Sequence, residues 1–103
     1  MTTATRSALR TPLCDLLGIT YPICQAGMGY VARSALAAAV SEAGGLGVVA
    51  AAQFTPADLK QEIRRVRDLT DKPFGVDILF ATVRAAGEEA ERFTDAVRGW
   101  VEV

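Results

Sequence analysis

The stretch ICQAGMGYVA, residues 23–32, has small residues at a spacing that fits two kinds of cofactor site. Gly27, Gly29 and Ala32 match the G-x-G-x-x-A turn that binds a dinucleotide between a strand and a helix. The same residues are typical of the bare end of a barrel strand, where missing side chains let a flat ring lie against the backbone. The rest of the chain must decide between these two interpretations.

Cysteine and histidine, which commonly hold metals or act as nucleophiles and bases, are scarce in this sequence. Cys14 and Cys24 are its only cysteines, they form no C-x-x-C pair, and there is no histidine. We therefore expect no metal site. Cys24 lies in an apolar, strand-like run, which favours a small core residue over a reactive thiol. Without histidine the chain lacks the side chain most often used as a general base near neutral pH.

Length and charge restrict the class of protein. With 103 residues, 50% of them hydrophobic, and a net charge of -1, the chain is one globular domain at most. Five of its eleven basic residues lie within residues 60–72, mixed with acids at helical spacing, which predicts a solvated helix face and no nucleic-acid partner. No apolar run reaches the roughly 18 residues of a membrane span. Residues 1–10 are polar and lack an apolar signal-like run, so we expect a loose arm and a cytoplasmic protein.

Hydrophobic spacing predicts a regular series of helices and strands. The predicted elements are a lead-in helix at 11–19, strands at 21–26, 46–52 and 72–80, and helices at 33–45, 54–70 and 88–103. The residues expected to cap helices are Thr11, Pro12, Gly18, Thr55 and Pro56. The residues expected to face inward are Leu36, Val40 and Ala43, then Leu59, Ile63, Val66 and Leu69, and in the strands Ile23, Val48, Val76 and Ile78.

Strands that alternate with helices and are apolar throughout predict a parallel sheet covered by helices. Two α/β architectures fit this order. One is a mononucleotide-binding half of a doubly wound sheet, and the other is the opening three-eighths of a (β/α)8 barrel, which needs about 250 residues. Both place function at the carboxyl ends of the strands.

The second predicted strand argues against a nicotinamide site. Such a site needs an acid about 20 residues beyond the glycines to hold the ribose hydroxyls. Here the strand ends in VVAAAQF, and the nearest acids are Glu42 in the preceding helix and Asp58 in the next cap. Small residues at two neighbouring strand ends instead leave room for a flat group, and we expect no NAD in the G-x-G-x-x-A turn.

Three segments together resemble the opening of a known enzyme family. The segments are TPLCDLLGITYPICQAGMG, LAAAVSEAGGLGVVAA and IRRVRDLTDKPFGVDIL. In order and spacing they resemble the nitronate monooxygenase (2-nitropropane dioxygenase-like) flavoproteins. The resemblance covers nearly the whole chain. It implies a TIM barrel that binds FMN and oxidises alkyl nitronates with dioxygen. Relatives implied by the same resemblance are FMN-dependent enoyl reductases and NAD(P)H:quinone reductases, so nitronate, enoyl thioester and quinone substrates all stay open.

The resemblance implies four cofactor-binding residues. Ala26, Gly27 and Met28 match the backbone segment that borders the flavin ring, where peptide N–H groups approach its polar edge. Met28 is either a contact of the ring or substrate or a soft core filler. Asp77 stands where many members carry an asparagine that hydrogen-bonds the flavin; a carboxylate accepts from the flavin N3–H but cannot donate to a ring carbonyl. The alternative for Asp77 is a charged strand end that faces solvent or a neighbouring loop.

The catalytic base and the phosphate site of the family are expected outside these residues. We expect residues 1–103 to be an incomplete N-terminal segment of one FMN-binding TIM-barrel domain, about three βα units long. By itself this segment should be inactive and should self-associate through open sheet edges and uncovered apolar faces. The other hypotheses are a non-catalytic, self-associating barrel fragment and, more weakly, a small nicotinamide-binding module.

Overall fold

The computed structural model describes residues 8–78 together with 95, 97–99 and 101. In this part the chain has an α/β fold of helices and a parallel two-stranded sheet. The elements are α1 (Pro12–Leu17), α2 (Ser34–Ala43), β1 (Gly47–Ala50), a 3-10 turn (Ala51–Gln53), α3 (Pro56–Leu69) and β2 (Phe74–Asp77). The predicted polar arm and the predicted helix at 88–103 lie mostly outside the described residues, although 95, 97–99 and 101 are helical.

Helix α1 begins and ends near the predicted residues. Pro12 occupies the first turn, where its missing N–H costs nothing, and Gly18 ends the helix with a φ of 69°. Thr11 stands at the N-cap, but its side chain accepts no hydrogen bond from the helix backbone, contrary to the prediction. Its Oγ1 lies 4.0 Å from the sulfur of Cys14, which is the buried cysteine of the pair.

Helix α2 packs on β1 through small side chains. Ala37, Ala38 and Ser41 are its buried residues, whereas the predicted Leu36, Val40 and Ala43 are half-buried or exposed. The predicted inward face was therefore wrong by a rotation about the helix axis. Close approach explains the rotation, because a Cβ on Gly47 of β1 would lie 2.7 Å from the Cα of Ala37. Only small residues allow helix and strand to come this near.

The strands β1 and β2 pair in parallel, in a register that joins Val48 to Gly75, Val49 to Val76 and Ala50 to Asp77. The predicted strand at 21–26 is reduced to one bridge, between Cys24 and Leu46. Cys24 is exposed, so the expectation of a core cysteine was wrong. The reason is its place at the margin of the sheet, where the segment pairs with β1 for one step only.

Side chains on a strand alternate between the two faces of the sheet. Val49 is fully buried against the helices, and the register puts Val76 beside it. The prediction that Val48 and Val76 share a face was therefore wrong, and Ile78, which packs against the helix-covered core, is also on the Val76 side. The opposite face, which we call the open face, carries Leu46, Val48, Gly75 and Asp77. A Cβ on Gly75 would lie 3.6 Å from Val48 on that face.

Ile23 was also predicted to face inward, and it is exposed over 59% of its surface. It precedes Cys24, whose bridge to Leu46 places Cys24 on the open face, so alternation sends Ile23 to the other side. Ile23, Val48, Val76 and Ile78 were expected to face the interior of a barrel, on the side of the sheet away from the helices. Of these four, only Val48 lies on that side, which is the open face.

Helix α3 supplies most of the large core side chains. The Thr55 hydroxyl accepts a hydrogen bond of 3.2 Å from the Asp58 N–H, which confirms the predicted cap. Leu69 is 57% exposed, contrary to the prediction, because Thr70 takes the inward position at the end of the helix and donates to Glu42. The buried core cluster consists of Ala37, Ala38, Val49, Ala51, Leu59 and Val66. Partly buried side chains packed against it are Phe54, Ile63, Phe74, Ile78 and Val97.

Glu62 is a buried carboxylate on the inner side of α3 that the sequence patterns did not single out. Its Oε1 accepts a 2.7 Å hydrogen bond from the Ser34 N–H at the start of α2, and Arg65 donates to Oε2 at 3.2 Å. Burial raises the pKa of Glu62, but the hydrogen bonds from Ser34 and the charges of Arg65 and Arg33 outweigh it and lower the pKa. The carboxylate thus satisfies a helix N-terminus that lacks a side-chain cap of its own.

We expect Glu62→Gln to destabilise the protein by about 1 kcal/mol at pH 7, because the charge at the α2 N-terminus is lost. Since the folded pKa of Glu62 is lowered, its contribution is fully present above the ordinary value of 4.5 and disappears as the pH falls through the folded pKa. Melting temperatures of wild type and variant should therefore differ at neutral pH and converge progressively as the pH falls below about 4.5. Asp68→Asn, an exposed carboxylate on the same helix, is the control, and a constant gap for Glu62→Gln would contradict the assignment.

Candidate functional site

The predicted cofactor-binding residues lie at the carboxyl edge of the sheet. Asp77 is the last residue of β2 and pairs with Ala50, the last residue of β1. Ala26 and Met28 are exposed and Gly27 is half-buried, in the segment that follows the Cys24 bridge. We call residues 26–28 together with Asp77 the carboxyl-edge site.

Gly27 and Asp77 are in direct contact, although 49 positions of chain separate them. A Cβ placed on Gly27 would lie 2.8 Å from the Cβ of Asp77 and closer still to its Oδ2. The segment therefore passes from one margin of the sheet, beyond β1, to the open-face side chain of β2. Glycine is required at this point because any side chain would occupy the space of the Asp77 carboxylate.

Gly29, the second glycine of the G-x-G-x-x-A pattern, is under no such constraint. A Cβ on Gly29 would meet no atom within 4 Å. The left-handed residue of the turn is Tyr30, with a φ of 62°. The turn closes through the Met28 carbonyl, which accepts from Val31 N at 3.2 Å and from Ala32 N at 2.8 Å. The two glycines thus differ in role, which the spacing alone did not indicate.

Two glutamines tie the site to β1. The Gln25 carboxamide donates from Nε2 to the Val48 carbonyl at 2.9 Å and accepts from the Val48 N–H at 3.0 Å. Gln53, just after β1, accepts from the Tyr30 N–H and donates to the Ala32 carbonyl at 3.4 Å. The prediction of site residues missed both, although an amide inside the apolar run ICQA is a signal that could have identified Gln25.

The backbone of the site presents donors to its surroundings. The N–H groups of Ala26, Gly27, Met28 and Gly29 donate to no residue in the described part of the chain. Three of these residues are exposed and Gly27 is half-buried, so the donors stand along a surface with little side-chain cover. A group with acceptor atoms on a planar edge could accept from several of them at once.

The side chains flanking this surface are apolar. Met28 is exposed over 40% of its surface, Val31 over 59% and Tyr30 over 81%. Met28 therefore fills no space in the core formed by the described residues. The site combines backbone donors, one carboxylate and an apolar margin, a mixture suited to an organic ring with a polar edge.

The part of the chain that the structure describes contains neither a metal-ligand cluster nor a membrane-spanning helix. Within that part, no three histidine, cysteine, aspartate or glutamate side chains stand close enough together to hold a metal ion. None of its helices has both the length and the apolar character needed to cross a membrane.

Comparison with known proteins places the chain in a family. The sequence model of nitronate monooxygenase matches residues 10–103, which is nearly the whole chain. The chain belongs to the nitronate monooxygenase family. The resemblance inferred from the three sequence segments is thereby confirmed.

Curated relatives include two kinds of enzyme. A (3aS,4S,5R,7aS)-5-hydroxy-7a-methyl-1-oxo-octahydro-1H-indene-4-carboxyl-CoA dehydrogenase of Mycobacterium tuberculosis is 48% identical over 83 residues, 81% of this chain and 23% of its own length. A probable nitronate monooxygenase of Staphylococcus haemolyticus is 48% identical over 66 residues, 64% of this chain and 18% of its own.

Two solved structures share the fold of this family member. FabK from Thermotoga maritima has 40% sequence identity and a TM-score of 0.69 over 86% of this chain and 27% of its own. Nitroalkane oxidase from Streptomyces ansochromogenes has 44% identity and a TM-score of 0.62 over 78% of this chain and 23% of its own. The chain thus spans between 18% and 27% of the length of these four relatives.

The contact between Gly27 and Asp77 leads to a stability prediction. Gly27→Ala should destabilise the protein by about 1–3 kcal/mol, because its Cβ overlaps the Asp77 side chain. Gly29→Ala is the matched control and should change stability by less than about 0.5 kcal/mol. In an Asp77→Gly background the cost of Gly27→Ala should fall by about 1 kcal/mol or more. Denaturant unfolding measures all four variants, and additive effects of Gly27→Ala and Asp77→Gly would refute the contact.

Proposed function

We propose that this chain is the N-terminal part of an FMN-dependent (β/α)8-barrel oxidoreductase that oxidises alkyl nitronates with dioxygen. Membership of the nitronate monooxygenase family supports the class of activity. The observation that carries the proposal is the carboxyl-edge site, where unshielded backbone donors and Asp77 meet on one surface. The substrate is a small molecule, and we place the protein in the cytoplasm.

The one-sided sheet supports the barrel. Helices cover the face that carries Val49, whereas Leu46 and Val48 on the open face are only half-buried. In a barrel, the inner side chains of further strands cover such a face and complete the packed layers. The same architecture places active sites at the carboxyl ends of the strands, which is where Asp77 and residues 26–28 lie.

The residues present fit a flavin ring. The isoalloxazine is flat, with carbonyl and nitrogen acceptors along one edge and an N3–H donor between them. The consecutive N–H groups from Ala26 to Met28 suit the acceptors, and the Asp77 carboxylate suits the donor. Absence of a side chain at Gly27 keeps Asp77 accessible from this segment.

When bound, FMN supplies the redox chemistry, since it accepts electrons from the substrate and passes them to dioxygen. The residues of this chain bind and orient the ring and exclude water from one of its sides. The resemblance to the family implies that the catalytic base is a histidine outside these 103 residues, which contain none. We expect the segment by itself to be inactive and to self-associate through its open face and sheet edges.

A second candidate is a flavin-dependent reductase that uses NAD(P)H as the electron donor and an enoyl thioester or a quinone as the acceptor. The similarity to a dehydrogenase whose name specifies a carboxyl-CoA substrate, over 81% of this chain, favours this candidate. The two activities differ in their electron donor. Nitronate-dependent oxygen consumption without NAD(P)H supports the first, and flavin reduction by NAD(P)H supports the second.

We expect the complete protein, with this chain as its N-terminal part, to purify with bound FMN. Gly27→Val should weaken FMN binding about tenfold, the equivalent of about 1.4 kcal/mol, because a branched side chain enters the surface where the ring lies. Asp77→Asn should retain FMN, since an amide oxygen still accepts from N3–H.

Ala39→Val, at an exposed position of α2 outside the carboxyl-edge site, is the control for this experiment. Flavin absorbance of the purified proteins and fluorescence titration of the flavin-free forms provide the measurements. A colourless complete protein, or equal FMN affinity in the Gly27→Val and wild-type proteins, would overturn the proposed site.

A further inference from the structure

Gln25 makes hydrogen bonds of a kind that strand backbones usually make. Residues 23–28, which we call the edge segment, run along one margin of the sheet. Before Gln25, this segment pairs with β1 in the ordinary parallel manner. Leu46 N donates to the Ile23 carbonyl and Gln25 N donates to the Leu46 carbonyl, both at 2.9 Å. The next step of a parallel ladder would join Val48 to the Gln25 carbonyl and the Gly27 N–H.

The Gln25 side chain takes that step instead. Its Oε1 accepts from Val48 N at 3.0 Å, and its Nε2 donates to the Val48 carbonyl at 2.9 Å. A carboxamide carries the same acceptor and donor as a peptide group, so it satisfies both backbone atoms of Val48. The backbone N–H of Gly27 is thereby free of the sheet at the residue where the segment turns toward Asp77.

We propose that Gln25 is a positioning residue of the flavin site: its carboxamide replaces the last rung of the ladder and so holds residues 26–28 off the sheet, with their N–H groups available to the ring. This inference rests on the proposed flavin function. The donation of Nε2 to the Ala26 carbonyl also holds the first peptide of the segment. Gln25 acts through the backbone and does not itself contact the ring.

The chemistry of the contact explains why glutamine is needed. Glutamate keeps the acceptor for Val48 N, but its second carboxylate oxygen would face the Val48 carbonyl. Two acceptors then lie against each other with no donor between them. Methionine has a similar length without either hydrogen-bonding group. In both variants the Gln25 carbonyl and Gly27 N–H can return to the ladder, which would draw the segment back to β1.

The test uses the complete protein and FMN, with Gln25→Met and Gln25→Glu as variants. Gln61, exposed on α3, provides the matched controls Gln61→Met and Gln61→Glu. The Gln25 variants should bind FMN about tenfold more weakly, the equivalent of about 1.4 kcal/mol, and the controls should not. In the Gln25 variants loaded at saturating FMN, the visible absorption bands should shift, because the hydrogen bonds to the ring change. A loss of fold stability alone does not produce this shift.

A measurement independent of flavin completes the test. In the flavin-free protein, the side-chain amide protons of Gln25 should exchange with water at least about tenfold more slowly than those of exposed Gln61, because Nε2 donates to the carbonyls of Val48 and Ala26. Equal exchange rates would overturn the inference. Unchanged FMN affinity and absorption in the Gln25 variants would also overturn it, even if their melting temperatures fall. A wild-type protein that binds no FMN would instead overturn the proposed function and, with it, the role inferred for Gln25.

Discussion

The hydrogen bonds between the Gln25 carboxamide and Val48 determine where the edge segment leaves the sheet. Backbone pairing with β1 ends at the Cys24 bridge, because the carboxamide takes the next step, and Gly27 then reaches the Asp77 side chain. The position of the carboxyl-edge site follows from this contact. A side-chain amide achieves it without leaving the backbone groups of Val48 unsatisfied, which in a half-buried strand would cost about 1–3 kcal/mol.

Close packing on the other face of the sheet sets the remaining geometry. Gly47 lies so near Ala37 that helix α2 must present alanine to the sheet. The side chain of Val49 in β1 is then fully buried beneath the helices. The buried Glu62 links the start of α2 to α3. It therefore holds together the helix that follows residues 26–28 and the helix that follows β1. The open face is left for packing by further strands, which fits the barrel that we propose.

Local signals in the sequence predicted much of the fold. Gly18 and Thr55 act where capping rules placed them, and the order of helices and parallel strands follows the hydrophobic periodicity. The small residues at the carboxyl edge, the absence of a ribose-binding acid and the three family-like segments led to the nitronate monooxygenase family. These features depend on residues that are close in sequence, so pattern reasoning reaches them.

Features that depend on distant contacts were not predicted. The face of Val76 depends on its register with Val49, and the inward face of α2 depends on how closely Gly47 approaches. The role of Glu62 requires knowledge that α2 begins beside α3. In the site, the G-x-G-x-x-A spacing assigned Gly27 and Gly29 the same importance. Only the position of Asp77 beside Gly27 shows that their roles differ.

The most direct test of the central claim is a crystal structure of the complete protein grown with FMN. Ring density is expected against residues 26–28 on the open face of the sheet, with backbone N–H groups of this segment donating to the ring and the Asp77 carboxylate within hydrogen-bond distance of N3. Ring density elsewhere in the barrel, with residues 26–28 paired to β1 or facing only water, would contradict it.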